Sequence, residues 1–177
     1  MYRGGGNWTP AYIRLTDIEV ARLDKNKTSW DFSTDGDYDY FLGDFLAAKN
    51  IDGKNWMEII GWKKSKMLIP VSVGDTIKFT VVFEIPKAGN DALMFLKNDG
   101  AWMEDNIKIN DINPSSVTAN AAYGPNAYDV TFKIWDQGGA WGTKEFYLVF
   151  ANELYRGGGN WAPAYIRLTD IEIIRAA

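Results

Sequence analysis

Between residues 76 and 85 the sequence alternates without a break. Ile77, Phe79, Val81, Phe83 and Ile85 share one parity, and Lys78, Thr80, Val82 and Glu84 share the other. Successive side chains on a strand point to opposite faces, so a period of two specifies a half-buried β-strand. Residues 129–135, with Val130, Phe132 and Ile134 inward, and 145–151, with Phe146, Leu148 and Phe150 on one face, repeat the pattern. Further strands are expected at 38–45, 56–62, 66–71 and 92–97, separated by Gly, Asn, Asp and Pro clusters. No segment holds a 3.6-residue apolar period for three turns, and Ala47-Ala48-Lys49 reads at most as a helical turn. Many short strands in 177 residues predict an all-β fold, a two-sheet antiparallel β-sandwich of the jelly-roll type.

The chain also carries one long repeat. Residues 2–22 read YRGGGNWTPAYIRLTDIEVAR, and residues 155–175 read YRGGGNWAPAYIRLTDIEIIR, differing only at Thr9/Ala162, Val20/Ile173 and Ala21/Ile174. Solenoid and propeller units recur every 20 to 50 residues or so, whereas this spacing is that of a whole domain. Inside each copy the apolar parity changes sides, from Ile13 and Leu15 to Ile18 and Val20, which predicts a β-bulge at Thr16-Asp17 and likewise at Thr169-Asp170. The Gly-Gly-Gly-Asn run and Pro10 place a turn before the strand. A single jelly roll has one slot for its closing strand, so the chain divides into a duplicated closing strand, 1–23, and a sandwich domain, 24–177. The spare copy is the tail of a preceding tandem module, or it fills the slot of a neighbouring molecule. It is otherwise a deliberate duplication in which either copy closes the domain, or a second, pseudo-equivalent strand of one sandwich.

Composition removes several classes of function. Hydrophobic residues make up 46% and aromatics 15%, too apolar for a disordered chain. The net charge is −4 with Lys and Arg scattered, so nucleic acid is not an expected partner. Neither a bilayer-length apolar run nor a leader peptide is recognisable, so the chain reads as soluble with no membrane partner. With no Cys and no His, disulfides, thiolate nucleophiles, His-based triads and His-ligated metals are excluded. Remaining chemistry would fall to carboxylates, Lys or Tyr.

The eight Trp residues point to sugar recognition. The apolar face of a pyranose stacks on a flat ring while its equatorial hydroxyls bond to amides and carboxylates. In 56–62, Trp56 and Trp62 share a face with Glu58, opposite Met57 and Ile59, and lie roughly 20 Å apart along an extended strand. Trp135 stands opposite Phe132 and Ile134 and leads into Asp136-Gln137-Gly138-Gly139-Ala140-Trp141, a polar loop with a second indole. Trp102 falls in a turn, and Tyr38 and Tyr40 point one way along their strand. The candidate ligand-binding set is therefore Trp135, Trp141, Gln137, Asp136, Trp56, Trp62, Trp102, Tyr38 and Tyr40. Each has a plainer reading as core, since Trp is more often buried than displayed.

Asp35, Asp37 and Asp39 alternate, but Tyr40 and Leu46 stand where an EF-hand needs Gly and Glu. No cofactor or metal ligand set is therefore assigned, and a structural calcium in another geometry stays open. A glycosidase needs two facing carboxylates; Glu58, Glu84, Glu104, Asp136 and Glu145 are present, with nothing in the sequence pairing any two.

The succession IPVSVGDTIKFTVVFEI, AYDVTFKIWD, EFYLVFAN and AYIRLTDIEI resembles the β-jelly-roll carbohydrate-binding modules appended to plant-cell-wall hydrolases. The resemblance runs from about Trp30 to Ile173 and rests on strand pattern. It implies an extracellular, secreted, non-catalytic module that binds β-glucan-type polysaccharide: cellulose, mixed-linkage glucan or xyloglucan. The duplicated strand departs from the single-module pattern. The competing readings are a structural subunit that assembles by strand exchange, monomer against oligomer, and a carboxylate glycosidase.

Overall fold

The computed structural model describes residues 23–61, 63–85, 92–97, 105–108, 117–134, 145–152, 155–156 and 162–177. In chain order the strands are β1 Ser29–Trp30, β2 Phe41–Gly43, β3 Leu46–Ile51, β4 Lys54–Ile60 and β5 Lys64–Met67. Next come β6 Val71–Ser72, β7 Thr76–Phe83, β8 Ala92–Lys97, β9 Asp105–Lys108 and β10 Val117–Ala119. The last are β11 Ala127–Lys133, β12 Glu145–Asn152, β13 Tyr155–Arg156, β14 Ala162–Pro163 and β15 Tyr165–Ile174. Among the described residues they form a seven-stranded sheet, β10-β11-β7-β15-β4-β3 with β1 joined to β15, a six-stranded sheet, β2-β5-β12-β8-β9 with β6 joined to β12, and a two-stranded pair, β13-β14. Every pairing is antiparallel. The chain is an all-β sandwich, as its period-two pattern predicts.

One apolar cluster joins the sheets. Ile77, Phe79, Val81 and Phe83 of β7 are buried and meet Leu148 and Phe150 of β12, with the Phe79 and Phe150 rings edge to face at 5.5 Å. Val130, Phe132 and Ile134 also face inward, as their parity predicts. The bulge is where the sequence puts it. The β15 register against β7 shifts between Thr169 and Glu172, and Asp170 has φ 51°, a left-handed conformation that Asp tolerates better than most residues. Ile166 and Leu168 on one side of it, and Ile171 and Ile173 on the other, therefore all reach the core. The C-terminal copy of the repeat is thus a central strand between β7 and β4, rather than an edge. Residues 1–22, the other copy, lie outside the described residues.

Three local expectations are corrected. Residues 38–45 do not form one strand: Asp35–Tyr40 is a 3-10 helix and only Phe41–Gly43 is extended. The alternating Asp and Tyr imitate a strand, but the Asp37 carboxylate accepts from the Phe32 N–H at 2.9 Å and from the Thr34 hydroxyl at 3.5 Å, and such local bonding favours a turn. Ala47-Ala48-Lys49 is strand, within β3, because the edge of β4 supplies partners that a lone helical turn would lack. Residues 66–71 hold the end of β5 and the start of β6, broken where Leu68 N–H turns to the Tyr40 carbonyl and where Pro70 has no N–H to give.

Asp75 fastens the end of β15. Its carboxylate accepts from the N–H groups of Ser72 and Ala176, both at 2.9 Å, and from Arg175 Nη1 at 2.8 Å. Burial by itself would raise its pKa, but the two backbone N–H donors and the Arg175 guanidinium outweigh that and hold it below the ordinary carboxylate value. A depressed folded-state pKa adds stability above about pH 4, the unfolded value, and that stability disappears as pH falls through the folded value. Thermal melts between about pH 7 and pH 2 should therefore show Asp75→Asn less stable than wild type at neutral pH, with the gap closing in acid. A gap that stays constant with pH would refute this role.

Candidate functional site

The solvent side of the seven-stranded sheet carries a strip of aromatic and charged side chains. It starts at β15, where Tyr165 and Arg167 have the parity opposite to the core residues Ile166 and Leu168. Arg167 Nε donates to Glu58 Oε2 of β4 at 2.7 Å, and the guanidinium lies over the Tyr165 ring, 4.1 Å from its centre. Arg167 and Glu58 are register partners, so the sheet itself sets this pair. The Tyr165 backbone is held too: its N–H donates to Glu84 Oε2 at 3.0 Å, and its carbonyl accepts from Glu84 N–H at 3.1 Å.

Two residues before Glu58 on the same face is Trp56. Its indole lies outside the inter-sheet cluster yet is only 2% exposed. Tyr123 covers it, with ring centres 5.0 Å apart at 89°, and the indole N–H donates to the Ile51 carbonyl at 3.3 Å. Tyr123 belongs to a short 3-10 helix, Ala121–Tyr123, in the β10–β11 connection. Asn120 caps that helix by accepting from Ala122 N–H, and its amide donates to Asp129 at 2.9 Å. Asp129 also accepts from the Thr80 hydroxyl at 2.7 Å. Because β10 is one edge of the sheet and β4 is the fourth strand beyond it in the order, Tyr123 reaches Trp56 across the outer face of β11, β7 and β15, the side on which Thr80 and Thr169 are buried. Lys54 reaches both the Tyr123 ring, at 5.5 Å, and the Asp170 carboxylate at the bulge.

Half-buried Tyr123 over Trp56 and half-buried Tyr165 beside Ile60 bracket the Arg167–Glu58 pair. Trp56 and Ile60 are four residues apart on β4, which sets the two tyrosine positions about 13 Å apart along the strand. That spans a few sugar rings. Guanidinium and carboxylate between two rings can donate and accept hydrogen bonds from a polyhydroxylated chain laid across them.

Elsewhere, a concavity of about 400 Å³ opens where β1 meets β15, lined by Lys27, Ser29, Asp31, Asp37 and Glu172 among others. Its carboxylates are already engaged. Asp37 accepts from Phe32 N–H and pairs with Lys27 Nζ at 2.8 Å. The side chain and backbone of Ser33 bond to Asp31 and hold its carboxyl below the usual range. Asp31 is therefore ionised near neutral pH and poorly suited to act as a general acid. Among the described residues, no three acidic side chains gather closely enough to hold a metal ion. Of the alternating aspartates, Asp35 pairs with Lys49 and Asp37 with Lys27.

Of the residues singled out from the sequence, Trp62, Trp102, Trp135, Asp136, Gln137 and Trp141 lie outside the described residues. Tyr38, Tyr40 and Trp56 are corrected: they are buried and present no ring to a ligand. Tyr38 and Tyr40 are each 8% exposed within the core. The Tyr38 ring stacks on Phe32 at 4.8 Å, its hydroxyl donates to the Trp56 carbonyl at 3.1 Å, and the edge of Trp30 packs on Tyr40. Strand parity placed Trp56 on the solvent face correctly, but could not show that Tyr123 lies over it. Tyr165, Arg167 and Tyr123 were missed. The outward parity of Tyr165 and Arg167 was legible; Tyr123 sits in a turn, where no periodicity marks it.

No family model matches the chain, and no curated protein matches it. Among solved structures it is similar to one from a study of promiscuous specificity in carbohydrate-binding modules of the β-sandwich superfamily. That likeness has 10% identity and a TM-score of 0.39, and covers 77% of this chain and 54% of the other, so the chain spans about half of that structure. It is also similar to the CBM22-1 xylan-binding domain of Paenibacillus barcinonensis Xyn10C, at 14% identity and a TM-score of 0.39, over 77% of this chain and 83% of that one.

Proposed function

We propose that the protein is a non-catalytic polysaccharide-binding module whose ligand lies along the outer face of the seven-stranded sheet. The observation that carries this reading is the Tyr165–Arg167–Glu58 constellation, with Tyr123 propped on Trp56 about 13 Å away along β4. One ring carried on β15 and another propped on Trp56 of β4 suit a repeating sugar chain, and the bidirectional polar pair between them suits its hydroxyls. The ligand class we favour is β-linked glucan: cellulose, mixed-linkage glucan or xyloglucan. A catalytic reading has less support. Glu58 is committed to Arg167, Glu84 accepts from Tyr165 N–H, and the chain has no His. The reading is of a secreted module.

Affinity electrophoresis in gels containing mixed-linkage glucan, xyloglucan or xylan tests this, alongside a reducing-sugar assay. Wild type is expected to be retarded by at least one glucan and to release no reducing sugar. Tyr165→Ala and Tyr123→Ala should each weaken binding by roughly tenfold, the equivalent of about 1.4 kcal/mol. The stretch that carries Trp135, Asp136, Gln137 and Trp141 supplies a comparison. It begins after Ile134, which pairs with Asp75 at the end of the sheet away from Tyr165 and Glu84. Binding lost in Trp135→Ala but intact in the double tyrosine variant would move the site there. No retardation by any polysaccharide would overturn the reading altogether.

A further inference from the structure

The position taken by β15 is defined on every side by described residues, and the N-terminal copy of the repeat matches it point for point. Residues 12–19 are identical to 165–172, which cover the whole register with β4 and the bulge. Arg14 would meet Glu58 as Arg167 does, Asp17 would meet Lys54 at the left-handed bulge as Asp170 does, and Arg22 would meet Asp75 as Arg175 does. The copies differ in this strand only at Val20 for Ile173, a buried position, and at Ala21 for Ile174, which is exposed.

The chain path also fits. Ile173 N–H donates to the Thr28 carbonyl at 2.7 Å, and Ser29 is opposite Glu172. With the N-terminal copy in place, Val20 would face Thr28 and Glu19 would face Ser29. Residues 21–27 would then close an antiparallel hairpin, and Lys27 N–H already turns back to the Asp24 carbonyl. Strand counting places the occupant in the same chain. Each chain has one slot and two copies, so every slot is filled whether or not copies pass between molecules, and exchange only displaces as many copies as it docks. It gains no contacts and costs association entropy.

We propose that the slot between β7 and β4 is a docking site for either copy of the repeat, so that residues 2–22 replace residues 155–175 as the central strand of the same chain. One buried methylene favours the C-terminal copy by roughly 2- to 10-fold. Short-range closure onto β1 favours the other. Both forms are therefore populated within about an order of magnitude of each other.

The chain has no cysteine, so engineered disulfides report occupancy cleanly. Lys78 and Glu172 are register partners with half-exposed side chains, and paired antiparallel positions lie within disulfide reach. The full chain carrying Lys78→Cys, Glu19→Cys and Glu172→Cys is refolded in a glutathione buffer and mapped by mass spectrometry. Both the 19–78 and the 78–172 disulfides are expected in monomers, in a ratio within about tenfold. Adding Leu168→Asp should shift the ratio more than tenfold toward 19–78, and Leu15→Asp should shift it the other way. The proposal is overturned if 19–78 is absent where 78–172 forms, or if Leu168→Asp abolishes the fold without 19–78 appearing. A 19–78 link found only in dimers would assign the occupant to a second chain and overturn the same-chain arrangement.

Discussion

Trp30→Ala is expected to lower the unfolding free energy by about 3 to 5 kcal/mol, the range for emptying a buried Trp site. Trp30 is fully buried although β1 is only two residues long. Its ring meets Tyr40 at 5.6 Å and Phe41 at 6.2 Å, both edge-on, and its backbone pairs with Ile171. The side chain thus ties the 3-10 helix and β2 to the strand after the bulge. Among the described residues its indole N–H has no hydrogen-bond partner, so Trp30→Phe removes a buried donor while keeping an aromatic ring. It should cost clearly less than Trp30→Ala in urea or guanidinium melts. Equal losses in the two variants would show that aromatic packing is not what Trp30 contributes.

The second large effect is expected at Asn152, the last residue of β12 and fully buried. Its amide donates to the Ile59 carbonyl at 2.7 Å and to the Ala164 carbonyl at 2.8 Å, and its N–H donates to the Lys63 carbonyl at 3.1 Å. One side chain therefore joins the six-stranded sheet to β4 and to the entry of β15. Asn152→Leu keeps the branched shape with somewhat greater volume and removes both donors. The Ala164 carbonyl retains the Gly61 N–H, which limits the penalty, so the expected loss is about 2 to 3 kcal/mol. Because Ala164 precedes Tyr165, the variant should also weaken the proposed glycan binding at temperatures where it is still folded. Unchanged affinity and unchanged stability together would remove Asn152 from any supporting role.

Much of the fold could be read from residue order because strand parity is local. Ile77 to Phe83, Val130 to Ile134 and the change of side at Thr169-Asp170 each need only the alternation of side chains along an extended backbone, and each holds. Misreadings arose where polar side chains bond to nearby backbone. Asp35-Gly36-Asp37-Tyr38-Asp39-Tyr40 has the rhythm of a strand, but Asp37 binds Phe32 N–H, and both tyrosines turn into the core.

The candidate site was less legible. Parity identified the outward face of β4, but the identity of whatever covers Trp56 depends on a connection that starts at the opposite edge of the sheet. Arg167 and Glu58 are 109 residues apart, and nothing in their local sequence announces that strand register will make them partners.

The all-β class, the facing of the long strands and the bulge in the repeat follow from residue order, because alternation and the residues adjacent along the chain are enough to specify them. The packed fold was needed to make the C-terminal copy of the repeat a central strand, to bury Trp56, Tyr38 and Tyr40, and to bring Tyr123, Tyr165, Arg167 and Glu58 to one surface. The physical reason is that burial and partnership are set by what packs from distant parts of the chain, and strand order in a sheet is not written in any one strand.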